Sequence, residues 1–215
     1  MNDIRDPHRE SRLLHAGSPL SEAQAVMVML HGRGATAENI LTLAEEFAVP
    51  GVAYLAPQAA GYTWYPYSFL YPLEDNEPYL SSALKVVSRV IEKSGQSPEQ
   101  IVLLGFSQGA CLALEFAARH TQRYGGVIGL SGGLIGPEGM SRQDTGSLEG
   151  TSVFLGCSDP DPHIPVARVH YTTDILRKLG AEVTEQIYPH MGHTINQDEI
   201  NSVKMLIQHV VKKIT

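Results

Sequence analysis

Gln100-Ile101-Val102-Leu103-Leu104-Gly105-Phe106-Ser107-Gln108-Gly109-Ala110 joins a short apolar run to a G-x-S-x-G pattern. The run from Gln100 to Leu104 reads as a buried strand, and the apolar stretch from about Gln108 to His120 reads as a helix pressed against the sheet. Between them, Gly105 and Gly109 remove Cβ atoms where a tight strand-to-helix turn leaves no room. Such a turn thrusts the Ser107 hydroxyl above the sheet. The start of the helix supplies the Gln108 backbone N–H for developing negative charge. Ser107 is therefore the candidate nucleophile.

Outward from this turn, apolar runs alternate with helical patterns. Strands are expected at Ala25–Leu30, Val52–Ala56, Gly126–Leu130, Ser152–Gly156 and Glu182–Tyr188. Thr36 is placed to cap a helix whose stripe is Ile40, Leu43, Ala44 and Phe47. Leu80, Ala83, Leu84, Val87 and Ile91 mark another helix, and Ile200, Val203, Leu206, Ile207, Val210 and Ile214 mark the last. This alternation predicts an α/β fold with a mainly parallel central sheet and helices on both faces. Residues 1–10 read as a polar, solvated N-terminal tail, and residues 11–215 as a single domain. The interval 131–150 is too short for a large helical lid.

Composition narrows the function classes. The chain carries a formal net charge of −7 and no Lys/Arg cluster, which argues against nucleic acid as a partner. The N-terminus MNDIRDPHRESR lacks the apolar stretch of a signal peptide, and no run is long enough for membrane insertion. Cys111 and Cys157 sit in apolar settings and read as buried thiols. Together these features predict a cytoplasmic protein.

Four further segments bear on chemistry. His31-Gly32-Arg33-Gly34 closes the first strand with a flexible turn, the place where this type of fold supplies a second oxyanion donor; that donor is the Arg33 N–H. His31 itself reads as a structural side chain beneath the turn. His193, in Pro189-His190-Met191-Gly192-His193, lies on a loop that can reach Ser107 from above the sheet as its base. The HxxH spacing of His190 and His193 suggests no metal, because no carboxylate or cysteine motif accompanies it. An acid is expected between nucleophile and base, and the segment Gly156–Pro165 offers both Asp159 and Asp161. The stretch Tyr62–Phe69, with Trp64 and Tyr65, reads either as a loop packed on the core or as an acyl- or aryl-binding wall.

With these motifs in order, the chain resembles the phospholipase/carboxylesterase family of α/β-hydrolases, which includes the acyl-protein thioesterases. The resemblance is carried by LHGRGA at 30–35, GFSQGA at 105–110, DPHIP at 161–165 and MGH at 191–193. It implies an α/β-hydrolase fold, no metal or organic cofactor, and hydrolysis of a small-molecule ester or thioester. It assigns the acid to Asp161, the residue that matches the family's Asp-Pro-x-x-Pro spacing. The chain departs from the family by two extra residues between Gly156 and that aspartate. A dienelactone-hydrolase-like enzyme, or a binding protein on a hydrolase scaffold, stands as the alternative; a complete Ser107–Asp161–His193 set argues against a mere binder.

Overall fold

The computed structural model describes residues 6–214. Seven strands form one sheet: β1 (Leu13–Gly17), β2 (Ala25–Leu30), β3 (Val52–Pro57), β4 (Ile101–Phe106), β5 (Gly126–Leu130), β6 (Ser152–Ser158) and β7 (Glu182–Tyr188). Their order is β1-β3-β2-β4-β5-β6-β7. Only β1 runs antiparallel, pairing with β3 from Leu13 opposite Pro57 to Gly17 opposite Ala53. All other neighbours are parallel.

Among the described residues, five α-helices cover the sheet: α1 (Ala37–Phe47), α2 (Tyr79–Ser94), α3 (Gln108–Arg119), α4 (Val166–Lys178) and α5 (Gln197–Ile214). Strand β2 shows why both faces need cover. Val26, Val28 and Leu30 point into one core with α2, α3 and α4, whereas Ala25, Met27 and Met29 point into the other with α1 and α5. A strand buried on both faces is apolar at every position, which is how β2 to β5 read in the sequence.

This connectivity positions the site. From β2 the chain moves to β3 on one side; from β4 it moves to β5 on the other. The two strands are adjacent, and their following helices, α1 and α3, lie on opposite faces. A crevice opens beyond their carboxyl ends, where such sheets bind ligands. Thr36 caps α1 as expected, accepting from the Asn39 N–H at 3.2 Å.

Three features depart from the sequence expectations. Strand β1 is a partly exposed edge strand of five residues, too short to stand out from its surroundings. Helix α4 buries Arg168, Thr172 and Thr173 beside Val169 and Leu176, so polar residues blur its apolar stripe. The N-terminal segment is not a solvated tail over Asp6 to His8. His8 is fully buried; its Nδ1 accepts from the Ala60 N–H at 3.0 Å, while Nε2–H donates to the Trp64 carbonyl at 2.9 Å. Asp6 pairs with Arg89 at 3.2 Å and accepts from the Ser82 hydroxyl. Specific partners for a handful of polar groups, not apolar content, hold this segment down. Residues 1–5 lie outside the described ones.

The segment between β5 and β6 contains no helix and is pinned as a loop. Glu115 on α3, with a fully buried side chain, accepts from the Ile135 N–H and from both terminal nitrogens of Arg142 at 2.9 and 3.0 Å. Arg142 is itself 5% exposed and also pairs with Asp144. Removing one partner of a buried ion pair strands the other charge. Glu115→Ala should therefore cost about 3–5 kcal/mol of folding stability in urea denaturation, far above an exposed Glu→Ala control such as Glu46→Ala.

Candidate active site

Gly105 and Gly109 set the β4–α3 turn. A Cβ on Gly105 would lie 2.1 Å from the Gly109 carbonyl oxygen, and one on Gly109 would lie 2.0 Å from the Leu30 carbonyl oxygen. No side chain fits at either position. Between them, Ser107 adopts φ 55° and ψ −120°, a conformation that non-glycine residues hold only when the surroundings impose it. Its N–H donates to the Leu130 carbonyl at 2.9 Å, which ties the turn to the end of β5.

The structure brings Ser107, His193 and Asp161 together. His193 Nε2 lies 2.9 Å from Ser107 Oγ, and its Nδ1 lies 2.7 Å from Asp161 Oδ2. A carboxylate can only accept, so the proton sits on Nδ1 and Nε2 is free to accept from the serine hydroxyl. Phe106 and His163 pack on the His193 ring at centroid distances of 5.0 and 4.8 Å. Gly192, at φ 79°, turns the chain so that the ring points inward, and its N–H donates to Ser158 Oγ at 2.9 Å.

The two aspartates separate cleanly. Asp161 has a fully buried side chain, and its second oxygen accepts from the His163 and Ile164 N–H groups at 2.8 and 3.0 Å. Burial pushes this carboxyl up, but the hydrogen bonds from His193 and the two amides outweigh it and hold it below the usual value. Asp159 instead accepts from the His190 N–H at 2.8 Å and latches the loop that carries His193. His190 is exposed, and among the described residues no group of three or more His, Cys, Asp or Glu side chains is arranged to hold a metal ion.

Gly32 lies against the turn, where a Cβ would meet Ser107 Cβ at 3.4 Å, so Arg33 is delivered beside Ser107. Gln108 opens α3, and its N–H has no acceptor within the helix. The side chains of both residues do work that the sequence reading missed. Arg33 donates to the Tyr65, Pro66 and Tyr67 carbonyls at 2.7–3.0 Å. Gln108 donates to Tyr65 O and accepts from the Trp64 N–H. One guanidinium and one amide thus fix the aromatic loop over the crevice. His31 is buried beneath the turn, its Nε2 accepting from the Ala59 N–H at 3.1 Å and its Nδ1–H facing the Gly32 carbonyl at 2.8 Å.

A cavity of about 560 Å³ opens at Ser107, bounded by Tyr65, Phe69, Phe106, Cys111 and Ile164. Tyr65 borders it. Trp64 does not. It is fully buried between His8 and His31, and its indole N–H donates to the His31 carbonyl at 2.8 Å. Both side chains are buried in the same core, and of the two only Tyr65 borders the cavity. Ile164 was legible only as part of DPHIP, and Phe69 had no signal beyond its aromatic neighbours.

The site architecture is that of an α/β-hydrolase. The sequence profile of the phospholipase/carboxylesterase family matches residues 15–211, so the chain belongs to this family of ester-hydrolysing enzymes. A crystal structure of a phospholipase/carboxylesterase from Dyadobacter fermentans is 43% identical, with a TM-score of 0.88, covering 92% of this chain and 96% of that one. Acyl-protein thioesterase 1 of Saccharomyces cerevisiae is 27% identical, over 91% of this chain and 96% of its own length. The acyl-protein thioesterase 1 of Gibberella zeae is 32% identical over 54% of this chain; the match spans half of that protein.

Below the acid loop lies a carboxyl that the sequence reading did not single out. Glu199 and Asn196 form a reciprocal cap at the start of α5: each backbone N–H donates to the other's side chain at 2.9 Å. Glu199 Oε1 presses against Gly156, where a Cβ would be only 2.2 Å away, and has no hydrogen-bond partner. Burial pushes Glu199 up to about 7 from an ordinary 4.5.

Two predictions follow from these placements. Trp64→Ala should cost about 3–5 kcal/mol of stability in urea, while leaving the ester chain-length profile unchanged. For Glu199, the unfolded chain ionises near 4.5 while the folded protein keeps its proton to about 7. The folded state then binds more protons, so stability falls as pH rises through that window, by roughly 3 kcal/mol, and is flat above it. Glu199→Gln keeps the capping oxygen and should remove this slope when stability is measured from pH 4.5 to 8.

Proposed function

We propose that this chain is a serine carboxylesterase or thioesterase acting through an acyl-enzyme intermediate. The hydrogen-bonded series Asp161–His193–Ser107, at 2.7 and 2.9 Å, carries the reading. His193 Nε2 takes the Ser107 hydroxyl proton as Oγ attacks the ester or thioester carbonyl. Asp161 holds the imidazole in the needed tautomer and stabilises the imidazolium. The negative charge on the former carbonyl oxygen is met by the Arg33 and Gln108 N–H groups, each worth about 2.7–4 kcal/mol in hydrolases of this type. The tetrahedral intermediate collapses, and the His193 proton passes to the leaving alcohol or thiol. Water attacks the acyl-enzyme with the same histidine as base, releasing the acid and restoring Ser107.

Similarity to acyl-protein thioesterases brings thioesters into the substrate class. The Tyr65, Phe69 and Ile164 lining favours an apolar acyl or aryl group. Two buried cysteines left as thiols support a cytoplasmic setting.

A fluorophosphonate probe and 4-nitrophenyl esters test the reading. Wild type should be labelled at Ser107 alone and turn over the esters; Ser107→Ala should do neither. Asp161→Asn should lose orders of magnitude in kcat, about 10⁴-fold by analogy with a protease triad. Asp159→Asn should change kcat only a few-fold, because asparagine keeps the oxygen that accepts from His190. Labelling at another serine, or the reverse ranking of the aspartates in folded proteins, would overturn these assignments.

A further inference from the structure

Next to the Ser107 cavity lies a second one of about 430 Å³, bordered by Leu70, Glu138, Pro165, Ala167, Arg168 and Tyr171. Two pairs of consecutive residues divide the cavities: Phe69 and Ile164 face the first, Leu70 and Pro165 the second. The second space therefore lies directly beside the first, across one residue of each loop.

Its chemistry is cationic. Arg168 is only 8% exposed, yet no carboxylate among the described residues lies within ion-pair distance of it. The guanidinium's one hydrogen bond among the described residues is a long 3.5 Å contact from Nη1–H to the Leu134 carbonyl. The guanidinium stacks 5.1 Å above the Tyr171 ring, which orients it without neutralising it. The first turn of α4 adds to the field. Its N-cap is Pro165, which has no capping side chain, and the turn holds no acidic residue. The dipole at this helix end is therefore uncompensated from within. Buried arginines elsewhere in this chain are neutralised, as Arg142 is by Glu115 and Asp144. A guanidinium this buried without a carboxylate calls for an anion from outside the fold.

We propose that Arg168 and the start of α4 form an anion subsite that selects esters carrying a carboxylate several bonds from the scissile carbonyl. This deepens the esterase reading and, for its kinetic part, rests on it. Arginine suits a planar carboxylate through paired N–H donors, which a neutral chain end cannot engage. Glu138, exposed and bordering the same cavity, competes for Arg168 through its charge and weakens the subsite by repulsion.

The test uses 4-nitrophenyl monoesters of dicarboxylic acids from adipic to sebacic, each against the alkanoate of equal length. At least one monoester should exceed its alkanoate by about tenfold in kcat/KM. Arg168→Gln should remove that margin while moving the alkanoates less than about twofold. Charge on the leaving group instead is read with 3-(4-acetoxyphenyl)propionate against 4-ethylphenyl acetate. Glu138→Gln should widen the preference. Calorimetry of free dicarboxylates with the Ser107→Ala protein probes the subsite without turnover, and with wild type it stands in if Arg168→Gln does not fold. Should no ester be hydrolysed, the esterase reading fails while calorimetry still decides the subsite. Equal losses on charged and neutral esters, or no dicarboxylate binding, would overturn the proposal. So would a Glu138→Gln protein that loses stability and keeps its preference, because Arg168 would then belong to Glu138.

Discussion

Everything at the crevice depends on how closely three backbones approach one another at the carboxyl ends of β2 and β4. Helix α3 begins with Gly109 pressed against the Leu30 carbonyl, and β4 ends with Gly105 pressed against Gly109. At about 2 Å from these atoms a Cβ has no place, so the contact is available to glycine alone. The approach forces Ser107 into its left-handed conformation, and the Leu130 carbonyl holds it there through the serine N–H. Strain of this kind costs of order 1–3 kcal/mol and persists because the two packed cores on either side of the sheet over-determine the turn.

Polar groups then shape what the backbone has opened. The loops around the crevice have little regular structure of their own, and side-chain hydrogen bonds to their backbone fix them instead. Arg33 and Gln108 each reach the 64–67 segment, Glu115 and Arg142 hold the segment after β5, and Asp159 holds the loop before α5. The two residues proposed as oxyanion donors thus also set the cavity wall with their side chains. A substitution at either position acts on both at once, which makes a backbone role and a side-chain role hard to separate by alanine alone.

Electrostatics divides the carboxyls by environment. Asp161 is buried but receives three hydrogen bonds, so its charge is favoured despite desolvation. Glu199 is buried with one oxygen unpartnered, so its proton is favoured. Both lie near the end of β6, and only the first faces His193. Arg168 shows the opposite sign of the same contrast: a cation with packing and a ring beneath it but, among the described residues, no carboxylate within ion-pair distance.

The sequence by itself determined the α/β class, the strand-to-helix turn at Ser107 and the three segments that converge on it. Those features rest on local chemistry: apolar runs buried on both faces, glycines at a turn that excludes Cβ, and prolines and glycines in the loops. It offered both Asp159 and Asp161, with only the family spacing to favour Asp161, and it left Trp64 and Tyr65 together as either core packing or a cavity wall. Only the tertiary structure separated them, because a shift of one or two residues along a loop changes what a side chain meets. Edge strand β1, helix α4 and the docked Asp6–His8 segment were illegible for a related reason. Strand β1 is set by its pairing with β3, and α4 mixes buried polar residues into its apolar stripe. The Asp6–His8 segment is held by hydrogen bonds and an ion pair to residues tens of positions away, such as His8 to Trp64 and Asp6 to Arg89. Polar partnership of that kind leaves no period in the sequence, whereas burial against a sheet does.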